Sequence, residues 1–244
     1  MICSRGIVLN AIRHSDDKVI INVYTLEAGM VSFLVRRSGH RNNSSGHVQA
    51  VLWQPLTVVD VVWRERRRDG LSVAYDATIA HPWLDLPFNP HKATIAMFLG
   101  ELLGHVLRHE QSNPVLLNFI ERSLSWLDAA PSGFANFHIV FLLGLSRYLG
   151  FEPNVAGWRE GSFFDLRAAE FVEQRPSHSD YLEGGEASLV PRLMHLGYGQ
   201  MRRVALSGNA RKRILEVIVT FYRLHIAEVP EIRSLSILHD VYRS

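Results

Sequence analysis

Four arginines crowd one short stretch of this chain, Arg64, Arg66, Arg67 and Arg68, in the run from Trp63 to Gly70. A guanidinium carries a planar fork of donors that pairs two phosphate oxygens at once and stacks on a nucleobase. The cluster therefore reads either as a grip on a phosphate backbone or as a charged hairpin that water solvates. A second basic stretch runs from Arg36 through Arg37 and Arg41 to His47 and mixes cations with serine, asparagine and glycine. Small donors of that kind suit contacts to phosphate and sugar, and the plainer alternative is an ordinary connector. Arg211, Lys212 and Arg213 form a third basic cluster, ahead of the apolar run Ile214 to Phe221. On a helix starting at Ser207 these cations occupy the first turns, against the dipole, which points either to use or to simple solvation. Trp53, Trp63, Phe33 and Tyr24 are candidate platforms for stacked bases or core residues.

Catalytic chemistry finds less support. Twelve histidines are present, and His105 and His109 stand one helical turn apart. The glutamate that a zinc-protease helix would need between them is missing. The single cysteine, Cys3, excludes an intrachain disulfide and a cysteine-based zinc site. Gly161-Ser162 is followed by Phe163-Phe164, so no nucleophile elbow forms, and no glycine-rich phosphate loop occurs. Asp16-Asp17 sits in a turn beside basic residues rather than in a pocket. The reading is of a protein that is not an enzyme and needs no metal or nucleotide cofactor.

Composition agrees with a folded chain: 244 residues, 47% hydrophobic and 20% charged, ordinary for a globular protein with a sizeable core. Nothing before Gly6 resembles a signal peptide, and no apolar run approaches the ~18 residues of a membrane helix. A cytoplasmic location is expected. The net charge of +2 conceals an uneven spread: residues 1–80 carry +3, residues 81–200 carry −5 and residues 201–244 carry +4. Only Lys18, Lys92 and Lys212 are lysine. That arginine bias suits nucleic acid and follows equally from GC-rich coding.

These residues must be positioned by two kinds of element. Residues 4–81 alternate with a period of two and are rich in β-branched residues, which predicts strands over Gly6–Arg13, Val19–Thr25, Met30–Arg37, Val51–Arg64 and Leu71–Ala80. Five short strands in so few residues make a small barrel, an OB-fold or an SH3-like one. The Arg64–Arg68 turn then lies between the fourth and fifth strands, and in an OB-fold that loop flanks the face that holds single strands. Beyond Pro82 the period becomes helical. Asn89-Pro90 and Asn113-Pro114 are helix starts, and further helices are predicted from about Phe134 to Leu149, Ser207 to Ala227 and Arg233 to Tyr242. Residues 151–185 read as irregular. The fold class is therefore α+β, with a barrel over residues 1–81 and a helical domain over residues 82–244.

Read from end to end, with Gly6-Ile7-Val8-Leu9, Leu145 to Pro153, Phe163 to Arg167 and Phe221 to His225 in that order, the chain resembles the bacterial recombination mediator family RecO. Gly6-Ile7-Val8-Leu9 looks like its opening strand, Thr25 to Gly29 like its second turn, and Gln54-Pro55-Leu56 like its fourth strand. Leu145 to Pro153 looks like its helix-to-loop signature, and Phe163 to Arg167 like a motif of the branch lacking metal. Phe221 to His225 and Ser234 to Leu238 resemble its C-terminal signature. The resemblance implies an OB-fold, a helical C-terminal domain and binding to single- and double-stranded DNA. It implies strand annealing in DNA repair, the partners RecR and the single-strand-binding protein SSB, help in loading RecA, and a place at the nucleoid. One departure is plain: the four zinc-holding cysteines of many members are absent after Gly150-Phe151-Glu152-Pro153. Packing must then hold the Phe163–Arg167 region.

On this reading Arg36, Arg37, Arg41, Arg64, Arg66, Arg67 and Arg68 are the DNA-binding residues. The SSB tail is short, acidic and ends in an apolar residue, so its receptor needs an apolar groove beside a cation. Two places offer that pattern: Arg211, Lys212 and Arg213 beside Ile214, Leu215 and Ile218, and Arg122 among Leu117, Phe119 and Leu124. The alternative function is a general RNA- or DNA-binding chaperone with a helical interaction domain.

Overall fold

A computed structural model gives the fold, and the structure describes residues 1–36, 51–64, 70–227 and 229–241. The strands are β1 (Ile2–Arg13), β2 (Lys18–Thr25), β3 (Gly29–Arg36), β4 (Val58–Arg64) and β5 (Leu71–His81). They close into a barrel in the order β1-β2-β3-β5-β4, with β4 paired back to β1. All pairings are antiparallel except a short parallel one that sets Ser32 beside Leu71 and Phe33 beside Ser72. This Greek-key closure is the OB-fold, and it decides against the SH3-like alternative. The period-two alternation turns Val8, Ile21, Val23, Val31, Phe33, Val59, Val61 and Trp63 into one core.

The fourth strand starts at Val58, not at Val51 as the apolar run suggested. Pro55 has no N–H to give a ladder, and Leu56 adopts a left-handed backbone at φ 64°. The segment is held instead by the Leu56 N–H on the Val8 carbonyl at 2.6 Å and the Val8 N–H on the Thr57 carbonyl at 3.0 Å. Leu52 and Leu56 are buried, so their apolar character serves packing rather than a ladder.

Helix α1 (Pro90–Val106) begins where its sequence signal placed it, with the Asn89 side chain accepting from the His91 and Lys92 N–H groups. Helix α2 (Pro114–Ala129) starts in the same way on Asn113, which accepts from Val115 and Leu116. Next come α3 (Phe137–Tyr148) and a small sheet of β6 (Phe163–Asp165), β7 (Glu170–Val172) and β8 (Tyr181–Leu182), in the order β7-β6-β8. Part of the region read as irregular is thus strand. Helix α4 (Gly184–Met194) was not anticipated, and it contains Gly184, Gly185 and Pro191, types that ordinarily break a helix. A 3-10 turn (Tyr198–Arg203), α5 (Gly208–His225) capped by Ser207, and α6 (Ser234–Val241) complete the described chain. No helix among the described residues is long and apolar enough to cross a membrane.

Packing groups the chain differently from the 1–81 and 82–244 division that the change of period suggested. One compact unit holds residues 1–129 and 231–238, and the other holds 130–230 and 239–244. In the first unit the barrel and α1 approach closely at Gly104, where a Cβ would lie 2.2 Å from the Asn10 amide nitrogen. At the far side of the barrel, Gly29 has φ +65°, and a Cβ there would meet the Glu110 carbonyl at 2.6 Å. The Tyr24 hydroxyl donates to the Gln111 carbonyl at 2.7 Å, and the Ser112 hydroxyl donates to that of Leu26. The period therefore changes inside a packed body.

The second unit is built around α3, where Phe137, Ile139, Phe141, Leu142 and Leu145 are fully buried. The buried Tyr222 hydroxyl donates to the Leu142 carbonyl at 2.6 Å. Phe151 lies flat on the His225 ring, 5.2 Å between centroids, and meets Tyr222 edge-on. Phe164 of β6 packs on Phe171 at 5.0 Å. These aromatic contacts hold the Phe163–Arg167 region, with Arg167 donating to Asp180 at 2.7 Å on its surface.

Candidate nucleic-acid and peptide sites

The inward set of β2 and β3 leaves Lys18, Ile20 and Asn22 of β2 on the outer face, opposite Arg36, Leu34 and Ser32 of β3. At one end of this face Asn22 donates to Asn10 at 2.7 Å and accepts from the Ser32 hydroxyl at 2.7 Å, close to where Gly104 of α1 arrives. At the other end Lys18 and Arg36 stand directly opposite each other, an arrangement of like charges that works against a sheet. Asp17 lies beside them. Its carboxyl is held below the usual carboxylate range, first by the Ser15 hydroxyl and then in part by the charges of Lys18 and Arg36. Lys18 and Asn22 escaped the sequence reading. Strict alternation around Val19, Ile21 and Val23 was the signal that could have found them.

Arg64 is exposed at the end of β4, opposite Val73. Arg36 is exposed at the end of β3. Arg37, Arg41, Arg66, Arg67 and Arg68 lie outside the described residues. The aromatic candidates do not serve as platforms. Phe33 and Trp63 are buried in the barrel, edge to face at 5.6 Å, and Tyr24 is buried against the α1–α2 connection. Trp53 is half-buried and packs on the barrel core. A different aromatic is available: Tyr75 of β5, 60% exposed. The register pairs Val62 with Asp76 and Trp63 with Ala74, which leaves Tyr75 as the extra residue of a bulge, a feature that re-aims a side chain.

In the second unit, α4 and α5 enclose an apolar groove with Leu189, Leu193, Ile214 and Ile218 on its walls and Phe164 and Leu143 beneath. Its cavity volume is about 60 Å³. A single water needs roughly 10–15 Å³ on that measure, so the groove admits a large side chain. Two charged residues line it, Arg213 and Glu186. Arg213 Nε donates to Glu186 Oε1 at 2.7 Å and Nη2 donates to Oε2 at 3.1 Å, a bidentate pair. Hydrogen bonding from Arg213 holds the Glu186 carboxyl below its usual range, and Glu186 raises Arg213 in return.

The basic triplet of α5 therefore divides. Arg213 meets Ile214 and Ile218 at the groove, as the sequence reading placed them, but Leu215 is buried in the core instead. Arg211 turns inward, its Nε on Asn136 Oδ1 at 3.0 Å and its Nη2 on the Leu206 carbonyl at 3.2 Å. Lys212 is exposed, 3.9 Å from Glu216 one turn along. Arg122 belongs to the first unit, exposed on α2, where Leu117 and Leu124 turn into the core. Among the described residues, no three His, Cys, Asp or Glu side chains gather as metal ligands would.

Comparison with known families matches residues 1–83 to the family model "Recombination protein O N terminal" and residues 87–235 to "Recombination protein O C terminal". Curated relatives described as DNA repair protein RecO align along nearly their whole length. That of Phocaeicola vulgatus is 38% identical over 97% of each chain, and that of Bacteroides fragilis 35% over 97% of each. That of Azobacteroides pseudotrichonymphae is 30% identical over 98% of each.

Proposed function

The chain belongs to the recombination protein O family of DNA repair proteins, and from that premise we propose that it is a recombination mediator with no bond-making chemistry of its own. It anneals complementary strands and helps load RecA onto single strands coated with SSB, working with RecR. The barrel of residues 1–81 holds DNA, single- or double-stranded. Its phosphates meet the Arg36, Arg37 and Arg41 stretch and the turn of Arg64, Arg66, Arg67 and Arg68, and Tyr75 offers a base a face to stack on.

The observation that carries this reading is the apolar groove of the second unit with Arg213 on its lining. A terminal apolar side chain of the SSB tail fills the cavity while the tail's carboxylates face the guanidinium. Arg211, Lys212 and Arg122 do not share the groove-lining role, and Arg213 alone of the four takes it. Annealing of complementary strands coated with SSB tests the reading. The protein is expected to anneal them, and to fail when the SSB lacks its acidic tail. Annealing of bare strands together with indifference to the tail would instead identify a general nucleic-acid chaperone.

A further inference from the structure

The groove carries a feature that a simple tail receptor does not require: its cation is already paired. Glu186 takes the side-on edge of the Arg213 guanidinium, through Nε and Nη2, with both carboxylate oxygens. The neighbouring cations are occupied as well, Arg211 by Asn136 and the Leu206 carbonyl and Lys212 by Glu216. Each cation of the triplet thus has an acceptor within the chain, and for Arg213 and Lys212 that acceptor is a carboxylate. An isolated anion arriving here is left the end-on edge of a guanidinium whose charge Glu186 already offsets, and it meets Glu186 as a like charge.

Phosphate has nothing further to offer at this place, because the rest of the lining is apolar. A peptide carboxylate attached to a large apolar side chain does. Burial of that side chain contributes on the order of ten- to hundred-fold in affinity. The pair it approaches is solvent-exposed, with 58% and 44% of the two side chains accessible, and exposed pairs of this kind change affinity by at most about five-fold. An apolar anchor therefore outweighs the pair, whereas charge alone does not.

We propose that Glu186 is the selectivity residue of this groove: it closes Arg213 to nucleic-acid phosphate and leaves it to an acidic peptide that ends in a large apolar residue. This rests on the groove being a peptide receptor. Its consequence is that strand and peptide occupy the protein without competing, since the groove's cation is not available to the strand.

The test uses the full chain, a labelled acidic peptide ending in phenylalanine, and an unlabelled single-stranded oligonucleotide, with binding read by fluorescence anisotropy. Wild type is expected to bind the peptide and to keep it when the oligonucleotide is added. Glu186→Gln is expected to bind the peptide roughly two- to five-fold more tightly and to lose it to the oligonucleotide. Arg213→Gln is expected to weaken the peptide and to cancel the effect of Glu186→Gln in the double variant. If Glu186→Gln leaves affinity unchanged or lowers it, with the oligonucleotide still indifferent, Glu186 merely orients Arg213 and the selectivity role is overturned. If wild type ignores the peptide, or binds it as well with Leu189→Asp in the groove wall, the receptor reading itself fails. Circular dichroism of each variant separates these outcomes from loss of fold.

Discussion

The barrel and α5 each carry a run of cations that look alike in sequence, and those that the structure describes stand in opposite settings. On the barrel, Arg36 and Arg64 stand at strand ends with their side chains in solvent, and Arg36 faces another cation, Lys18, across the ladder. On α5, three consecutive cations each meet an internal acceptor, two carboxylates and an amide with a carbonyl. A helix sends successive residues in different directions, about 100° apart, so a triplet cannot face one ligand. The end of a strand leading into a loop imposes no such dispersal. Clustered charge in sequence therefore indicates a clustered surface only where the backbone does not fan it out.

The largest test of this contrast is salt dependence. Each phosphate contact on a single strand contributes about 0.7 to the slope of log affinity against log salt. Replacing Arg64, Arg66, Arg67 and Arg68 by Ala is expected to flatten that slope by up to about 3 and to weaken all sequences alike. Replacing Arg211, Lys212 and Arg213 by Ala is expected to leave the slope as it was. Equal flattening by the two sets, measured with the same oligonucleotide, would erase the distinction.

Much of the fold was legible because local signals and burial agreed. The alternation in Val19–Thr25 and the Asn-Pro starts of α1 and α2 each fix an element by a short-range rule. The misreadings came where one residue answers two demands. Val51 to Thr57 is apolar because Leu52 and Leu56 are buried, yet Pro55 and the left-handed Leu56 forbid a strand. Gly184, Gly185 and Pro191 are types that ordinarily break a helix, yet α4 begins on the two glycines and runs through Pro191. The site was legible only in part. That Arg213 belongs beside Ile214 and Ile218 follows from helical spacing, whereas its partner Glu186, 27 residues earlier, is joined to it only by tertiary packing. Tyr75 likewise depends on a bulge, which a two-residue period hides.

Acid sharpens the comparison from another side. His138 is buried in the core of the second unit, and burial, aided by the charges of Arg211 and His239, pushes it down to about 3. His239 is pushed down too, chiefly by burial. In the barrel the described histidines, His14 and His81, are exposed, and in the first unit His105 is lowered by burial but partly relieved by Glu101. An unfolded histidine takes its proton near pH 6.5, while folded His138 stays neutral. Stability is therefore fully present above that pH and is lost as pH falls from about 6.5 toward 3, with a slope of about 1.4 kcal/mol per pH unit for one proton. Trp158 is the one tryptophan of the second unit, and Trp53, Trp63, Trp83 and Trp126 belong to the first. Urea melts at pH 7.5 and 5.5 with Trp158 retained as sole fluorophore should show the second unit weakening, and His138→Gln should flatten the trend. A transition that ignores pH would show that the histidine contributes nothing to it.

The smallest effect separates neighbours within the α5 triplet. Arg211→Ala removes two hydrogen bonds, from Nε to Asn136 and from Nη2 to the Leu206 carbonyl. Asn136 is only 5% exposed, so water cannot readily replace the lost donor, and an unsatisfied buried acceptor costs about 1–3 kcal/mol. The Asn136 amide still donates to the Val204 carbonyl at 2.9 Å, which keeps the side chain in place and puts the expected loss near the lower end of that range. Removing Arg211 also lifts a positive charge from beside His138, but that histidine is neutral at pH 7, so the relief does not offset the loss there. Lys212→Ala removes a solvent-exposed pair at 3.9 Å and should stay within about 0.5 kcal/mol of wild type. Neither change should move peptide affinity as Arg213→Gln does. Urea melts of the two variants decide the matter: equal stabilities would mean that Arg211 is solvated like its neighbour, and the inward turn that separates the helix cluster from the barrel cluster would have no energetic content.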